Sequence, residues 1–144
     1  MITSLGNHSV EQIYSILKNA HLSGTVPLGS LWSQQQIENE LIQGHGAGIF
    51  LQPDRLVSFI LYRSLPDGVE ITNLATDPEY RRRGFMKQLV EELMRWNPNN
   101  IWLEVHEENL PARHLYRSIG FTEVSRRPGY YPDGGGACLL NWSL

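Results

Sequence analysis

A run of basic residues is the feature of the sequence with the clearest chemical meaning. It lies between a predicted strand and a predicted amphipathic helix, and it comprises Arg81, Arg82, Arg83, Gly84, Phe85, Met86 and Lys87. A helix N-terminus is partly positive, so each cation placed there costs about 0.3 to 1 kcal/mol unless an anion is bound. Free backbone N–H groups and arginine side chains together suit a pyrophosphate. A solvated basic turn is the alternative for this segment alone, and a Walker-type phosphate loop is excluded because no G-x-x-x-x-G-K-S/T string occurs.

Two other side chains could transfer protons. Glu104 lies in the middle of a short predicted strand on the same face as Trp102, and apolar neighbours make a carboxylate a better general base. The alternative to a general base is a structural carboxylate at the solvent-exposed end of the strand, paired with an arginine. Tyr116 belongs to the apolar face of a predicted helix, where it is either a core residue or a proton donor, because a buried hydroxyl needs a partner. Asn109 occupies the N-cap position of that helix.

The spacing of these residues resembles that of a known protein family. The segment Glu79–Gly84 is similar to the acyl-CoA-binding motif R/Q-x-x-G-x-G/A of the GNAT family of N-acetyltransferases. The family pattern N-x-x-A-x-x-L-Y…G-F is matched by Asn109, Ala112, Leu115, Tyr116, Gly120 and Phe121. The strand Trp102–Val105 and the segment Arg126–Pro132 resemble the RimI-type branch, which acetylates the N-terminal alanine of a small-subunit ribosomal protein. The resemblance covers Val69–Leu144.

The resemblance implies an N-acetyltransferase that uses acetyl-CoA as donor and needs no metal. It implies that Glu104 is the general base, that Tyr116 protonates the departing CoA thiolate and that Asn109 contacts the pantetheine arm. It also implies that the segment Arg81–Lys87 holds the pyrophosphate. The backbone groups expected to pair with pantetheine are those of Leu74, Ala75 and Thr76.

The expected acceptor is the N-terminal α-amine of a protein, such as a ribosomal protein. Two alternatives stay open: a small-molecule amine (a polyamine, an antibiotic or an amino acid), or an acyl-CoA-binding sensor that has lost catalysis. Met86 favours the sensor, since the family has Gly or Ala there and the side chain either crowds the phosphates or points away along the helix. A net charge of −3 argues against direct nucleic-acid binding.

Apolar residues at helical spacing predict four helices that flank these residues. Ser33 and Gln36 form a capping-box pattern at the start of the second helix. The predicted starts and ends are marked by Ser9, Ser33, Gly44, Gly46, Pro78, Asn97, Pro98, Asn109 and Gly120.

Apolar and alternating segments predict the strands of a sheet. They are Ala47–Gln52, Leu56–Arg63, Val69–Thr76, Ile101–Val105, Phe121–Ser125 and Ala137–Trp142. The continuous apolar run of Leu56–Arg63 predicts burial on both faces. A phase slip of one residue within Val69–Thr76 predicts a β-bulge, and bulges are common beside functional sites.

The expected fold class is α/β, with one GNAT-like domain over residues 1–144. A chain of 144 residues that is 41% hydrophobic and 19% charged can bury one complete core. Alternating strands and helices in the second half predict a right-handed crossover and a parallel strand pair. We therefore expect a mixed, mostly antiparallel, twisted sheet of six to seven strands whose central parallel pair splays apart, with about four flanking helices.

The remaining expectations concern location and assembly. No apolar run approaches the roughly 20 residues that span a bilayer, and the N-terminus lacks the features of a signal peptide. A cytoplasmic monomer or homodimer without a membrane partner is expected. Cys138 has no second cysteine for an internal disulfide, and the histidines show no metal-site spacing.

Overall fold

The computed structural model describes residues 2–24, 31–96 and 98–144. Seven strands and four α-helices occur in this part of the chain. In order they are β1 (Ile2–Ser4), α1 (Val10–Leu22), α2 (Gln34–Gln43), β2 (His45–Leu51), β3 (Arg55–Leu65), β4 (Gly68–Thr76), α3 (Phe85–Arg95), β5 (Asn100–His106), α4 (Leu110–Ser118), β6 (Thr122–Arg127) and β7 (Ala137–Ser143). None of the helices is both long and apolar enough to span a membrane.

The strands form a single seven-stranded sheet in the order β1-β2-β3-β4-β5-β7-β6. Every neighbouring pair is antiparallel except β4 and β5, which are parallel and are joined in sequence through α3. This confirms the predicted α/β fold class with its mixed, mostly antiparallel sheet. Strand β1 was not predicted, because Ile2–Ser4 is too short to show any alternation.

Both faces of the sheet are covered, as the apolar run in β3 predicts. Phe59 and Leu61 pack into one core cluster with α1 and α2, whereas Val57 and Ile60 pack into a second cluster with α3 and α4. Phe59, Ile60 and Leu61 alternate as the period of two in a strand requires. Val57 departs from this alternation, because Leu56 pairs with Phe50 and Ser58 pairs with Ile49, which makes Val57 an extra residue on β3. The sheet is therefore held between two helical layers.

The helix ends follow local signals in the sequence. Ser33 Oγ accepts a hydrogen bond from the Gln36 amide, and the Gln36 side chain accepts one from the Ser33 amide, so the predicted capping box is confirmed. Gly44 caps the end of α2, while Gly46 already belongs to β2. The predicted stop of α3 at Asn97 lies outside the described residues, and the helix ends at Arg95.

Two irregularities in β4 open the sheet. Leu61 pairs with Asn73 and Tyr62 pairs with Ile71, so Thr72 is an extra residue on β4 and the predicted bulge is confirmed. Parallel pairing between β4 and β5 is limited to Val69 with Ile101 and Glu70 with Trp102. Beyond these pairs the two strands diverge, which leaves a cleft between their C-terminal ends.

The bulge is anchored by a buried carboxylate from α2. Glu40 accepts two hydrogen bonds from the Arg63 guanidinium, at 2.6 and 2.8 Å, and one from Thr72 Oγ1 at 3.2 Å. The same hydroxyl lies 3.2 Å from the Leu61 carbonyl oxygen. Arg63 holds the pKa of Glu40 below its usual value despite burial, so the carboxylate stays charged and keeps Thr72 in its bulged position.

Candidate active site

The diverging ends of β4 and β5 enclose a cleft of about 400 Å³. Every residue predicted to contact the cofactor or transfer protons lines this cleft, with the exception of Arg83. The predicted residues in its walls are Leu74, Ala75, Thr76, Arg81, Arg82, Gly84, Phe85, Met86, Lys87, Glu104, Asn109 and Tyr116. The cleft is therefore basic at the start of α3 and carries a carboxylate on β5.

The backbone of β4 presents polar groups to the cleft. The Asp77 amide donates to the Val57 carbonyl oxygen at 2.8 Å, which makes Ala75 and Phe59 the next bonded pair between β3 and β4. Antiparallel pairing alternates, so the amide and carbonyl groups of Leu74 and Thr76 point away from β3, toward the cleft. The Leu74 amide already donates to Asn73 Oδ1 at 2.9 Å. The Leu74 carbonyl and the Thr76 amide are thus the groups best placed to pair with a ligand.

The turn before α3 has the features of an anion site. Gly84 precedes the helix with φ +79°, and Arg82 also has a positive φ of +65°, a conformation that costs a non-glycine residue energy and is enriched at functional sites. The Gln88 amide makes the first helical bond, to the Gly84 carbonyl. Within the described residues, no side chain caps this helix and its first turn holds no acid. The N–H groups of this turn are therefore available to an anion.

Arg83 lies outside the cleft, unlike its two neighbours. Its guanidinium lies over the ring of Tyr80, 5.0 Å from the ring centroid, and the Arg55 guanidinium lies over the same ring at 5.1 Å. Arg55 also contacts the buried Asp77 carboxylate at 3.2 Å. These contacts connect the turn to the start of β3, and they give Arg83 a structural position that its place in the arginine run did not reveal.

Met86 lies between the protein core and the basic end of the cleft. Its side chain is partly buried, packs against the core cluster on the α3 side of the sheet, and also contributes to the cleft wall. The crowding of the phosphates by Met86 stays a prediction.

Glu104 projects into the cleft from the middle of β5. Its side chain is 27% exposed, but its Oε2 atom is buried and accepts no hydrogen bond from the described residues. The Arg127 Nε atom lies 3.5 Å from that oxygen. The arginine of the alternative interpretation is therefore present, yet the contact is too long for a good hydrogen bond and the carboxylate remains open to the cleft.

Tyr116 and Asn109 bring α4 to the opposite side of the cleft. Tyr116 is buried, and its ring meets Phe121 edge-on at 5.7 Å between centroids. Burial raises the pKa of Tyr116, so its hydroxyl stays protonated at any ordinary assay pH. Asn109 Oδ1 accepts a hydrogen bond from the Ala112 amide at 3.3 Å, which confirms it as the N-cap while it also lines the cleft.

Tyr131 and His106 complete the wall around Glu104. The two rings are stacked with centroids 4.9 Å apart, and both line the cleft. Burial, with a further contribution from the Glu104 charge, raises the pKa of Tyr131 to about 12. No sequence pattern predicts this contact, because Tyr131 lies in the loop between β6 and β7, far from His106 along the chain.

This fold is that of the GNAT acetyltransferases. The acetyltransferase (GNAT) family model matches residues 10–121, and the chain belongs to this family. It is an acetyl-CoA-dependent N-acetyltransferase, as the sequence motifs predicted. Among its relatives, the [ribosomal protein bS18]-alanine N-acetyltransferase of Haemophilus ducreyi is 29% identical over 95% of this chain and 92% of the relative. The enzyme of the same name from Haemophilus influenzae is 32% identical over 88% of this chain and 84% of the relative.

A solved structure supports the same relationship. The crystal structure of the ribosomal-protein-S18-alanine N-acetyltransferase from Escherichia coli superposes with a TM-score of 0.83 and 26% identity, over 99% of this chain and 92% of that chain. The predicted resemblance to the RimI-type branch is thereby confirmed. The roles of the individual cleft residues remain predictions.

Proposed function

We propose that this enzyme acetylates the N-terminal α-amine of a protein, and that an N-terminal alanine of a ribosomal protein is the first acceptor to test. The observation that carries the proposal is a half-buried carboxylate, Glu104, in the same cleft as the uncapped, arginine-rich start of α3. The names of the relatives from Haemophilus and Escherichia coli support the choice of acceptor.

Different residues of the cleft bind different parts of acetyl-CoA. The guanidinium groups of Arg81 and Arg82, the Lys87 ammonium and the N–H groups at the start of α3 provide the charge and the donors for a pyrophosphate. The Leu74 carbonyl and the Thr76 amide offer backbone pairing to the pantetheine arm. This arrangement directs the thioester toward the region between Glu104 and Tyr116.

Direct attack by the amine requires removal of one proton and delivery of another. The amine nitrogen forms a bond to the thioester carbonyl carbon, and Glu104, directly or through a water, takes the proton that the nitrogen loses. As the carbon–sulfur bond breaks, the Tyr116 hydroxyl donates a hydrogen bond to the developing thiolate and supplies its proton. Tyr116 then regains a proton from solvent.

The demands on Glu104 favour an α-amine over a lysine side chain. An α-amine has a pKa of about 7.7 to 8.0, so about a tenth of it is neutral at pH 7, whereas lysine has a pKa of about 10.4. One carboxylate that retains some contact with water is adequate for the α-amine. A lysine would need a more desolvated site to lose its proton.

The acceptor can be tested with a matched pair of peptides. A peptide with a free N-terminal alanine and one internal lysine is compared with the same peptide carrying a blocked N-terminus, and products are identified by mass spectrometry. We expect acetylation of the free N-terminus only. Acetylation of the blocked peptide, or faster transfer to polyamines, aminoglycosides or free amino acids, contradicts the proposed acceptor. CoA binding without transfer to any amine would indicate the sensor alternative.

Two adjacent arginines at the start of α3 should contribute unequally to the affinity for CoA. Replacing Arg82 by glutamine should raise the Kd for CoA about 10- to 100-fold, the usual worth of a hydrogen bond to a charged group. Arg83→Gln removes the same charge one residue further on, but outside the cleft, and should raise the Kd less than about threefold. Isothermal titration calorimetry measures both. Equal effects would show that net charge, and not contact within the cleft, governs affinity.

A further inference from the structure

We propose that His106 is a positioning residue, which with Asp133 holds Tyr131 in the cleft wall beside Glu104 and thereby sets the affinity for the acceptor amine. This inference deepens the proposed function and rests on it, because it takes the region beside Glu104 as the acceptor site. It also means that the three consecutive glycines at residues 134–136 do not make this loop a flexible tip. The loop is a fixed wall.

Both ring nitrogens of His106 are engaged. Nδ1 accepts a hydrogen bond from the Glu108 amide at 3.1 Å, so this nitrogen carries no proton. Nε2 therefore carries the proton and donates it to the Asp133 carboxylate, at 2.9 and 3.1 Å from the two oxygens. The His106 side chain is only 8% exposed. A ring whose two nitrogens both have hydrogen-bond partners is held in a single orientation.

The carboxylate of Asp133 in turn organises the loop. Asp133 Oδ1 accepts a hydrogen bond from the Gly135 amide at 2.8 Å, and this bond together with the one from His106 keeps the pKa of Asp133 below its usual value. The carboxylate is thus ionised at neutral pH and strengthens both bonds. The Tyr131 amide donates to the Gly135 carbonyl at 3.0 Å, and the Gly136 amide donates to Glu107 Oε2 at 2.6 Å.

Close packing at Gly135 shows that the loop is built against the imidazole. A Cβ at this position would lie 2.3 Å from His106 Nε2, a distance that Cβ atoms do not adopt, and would also be in tight contact with Asp133 Oδ1 at 3.0 Å. A mobile tip would impose no such requirement. Glycine is needed at residue 135 because the backbone must reach the histidine.

Together these contacts fix the position of Tyr131. Its ring stacks on the fixed imidazole at 4.9 Å, meets Tyr130 edge-on at 5.2 Å, and lies close enough to Glu104 for the carboxylate charge to affect its hydroxyl. An amine that approaches Glu104 must pass this wall. Releasing the imidazole would let Tyr131 move, which weakens acceptor binding without altering the cofactor side of the cleft.

The test separates affinity from turnover. His106→Phe keeps a planar ring but loses both hydrogen bonds, and Asp133→Ala loses the carboxylate. We expect each to raise the KM for the acceptor peptide about tenfold, the worth of one hydrogen bond to a charged group, with kcat and the KM for acetyl-CoA changed less than about twofold. Asp133→Asn retains an oxygen for His106 and Gly135 and should rescue the KM to within about threefold of the wild type. His114→Gln on the exposed side of α4 is the matched control.

Several outcomes would overturn the inference. A merely structural role for His106 would lower kcat through loss of active protein and leave the acceptor KM unchanged. An Asp133→Asn variant as impaired as Asp133→Ala would show that the hydrogen bonds do not carry the effect. If His106→Phe does not fold, the two substitutions at the half-exposed Asp133 decide the question.

Amide hydrogen exchange provides a readout that needs no acceptor. Without substrate, Asp133→Ala should increase exchange at the amides of Gly135 and Gly136 at least tenfold, since ordered loops lose protection when their hydrogen bonds are removed. Unchanged exchange would overturn the loop anchoring even if the enzyme proves active. Conversely, increased exchange in an enzyme that acetylates no peptide N-terminus would contradict the proposed acceptor and leave the anchoring supported.

Discussion

Replacing Glu104 by glutamine should lower kcat/KM for a peptide with an N-terminal alanine by about 10²- to 10⁴-fold at pH 7, the range usual for a general base. The substitution keeps the size and polarity of the side chain but cannot accept the proton from the attacking amine. The Oε2 atom accepts no hydrogen bond from the described residues, and its contact with Arg127 Nε is 3.5 Å long, so the carboxylate is not held by a strong partner within the described part of the chain. Steady-state kinetics with purified wild-type and variant enzyme measure the change.

The pH profile distinguishes this role from a structural one. As pH rises above the amine pKa of about 8, more acceptor arrives neutral and the deficit of Glu104→Gln should shrink. Glu70→Gln, at an exposed position on the neighbouring strand, is the control and should retain wild-type rates. If Glu104 serves only as a partner of Arg127, then Glu104→Gln and Arg127→Gln will lower the Tm alike and leave kcat unchanged.

Much of the fold could be predicted because its signals are local. The capping box at Ser33 and the N-cap at Asn109 depend only on residues three positions apart along the chain. The bulge in β4 appeared as a slip in a two-residue pattern within Val69–Thr76, and the structure places the extra residue at Thr72. Such features need no tertiary information, since the interacting groups belong to one helix turn or one strand.

The site was harder to predict from the sequence where its geometry depends on contacts between residues that are distant along the chain. Arg81, Arg82 and Arg83 are identical in type, and only the positive φ of Arg82 and the contact of Arg83 with Tyr80 separate them. The bond between His106 and Asp133 joins β5 to a loop 27 residues away. No spacing rule encodes that pair, because it forms only once β7 has been placed beside β5.

Replacing Tyr116 by phenylalanine should lower kcat about 100-fold, comparable to the loss of one donor that stabilises developing negative charge. Burial raises the pKa of Tyr116, which makes it a weak acid but keeps its hydroxyl protonated and able to donate to sulfur. The wild-type rate should therefore rise through the amine pKa and show no fall from Tyr116 ionisation below pH 10. The KM for acetyl-CoA should stay within about twofold, since one uncharged hydroxyl contributes little to ground-state binding.

The phenylalanine variant also tests whether Tyr116 is only a core residue. Phenylalanine retains the edge-on contact with Phe121, so the Tm at pH 7 should change little. A tyrosine whose folded pKa is raised contributes stability that is present below its unfolded pKa of about 10 and is lost as pH rises further, because only the unfolded form ionises there. The variant should therefore lose less stability than the wild type above pH 10. Unchanged kcat together with this altered base sensitivity would assign Tyr116 to packing alone, whereas a 100-fold loss of kcat with an intact fold requires its hydroxyl in the reaction.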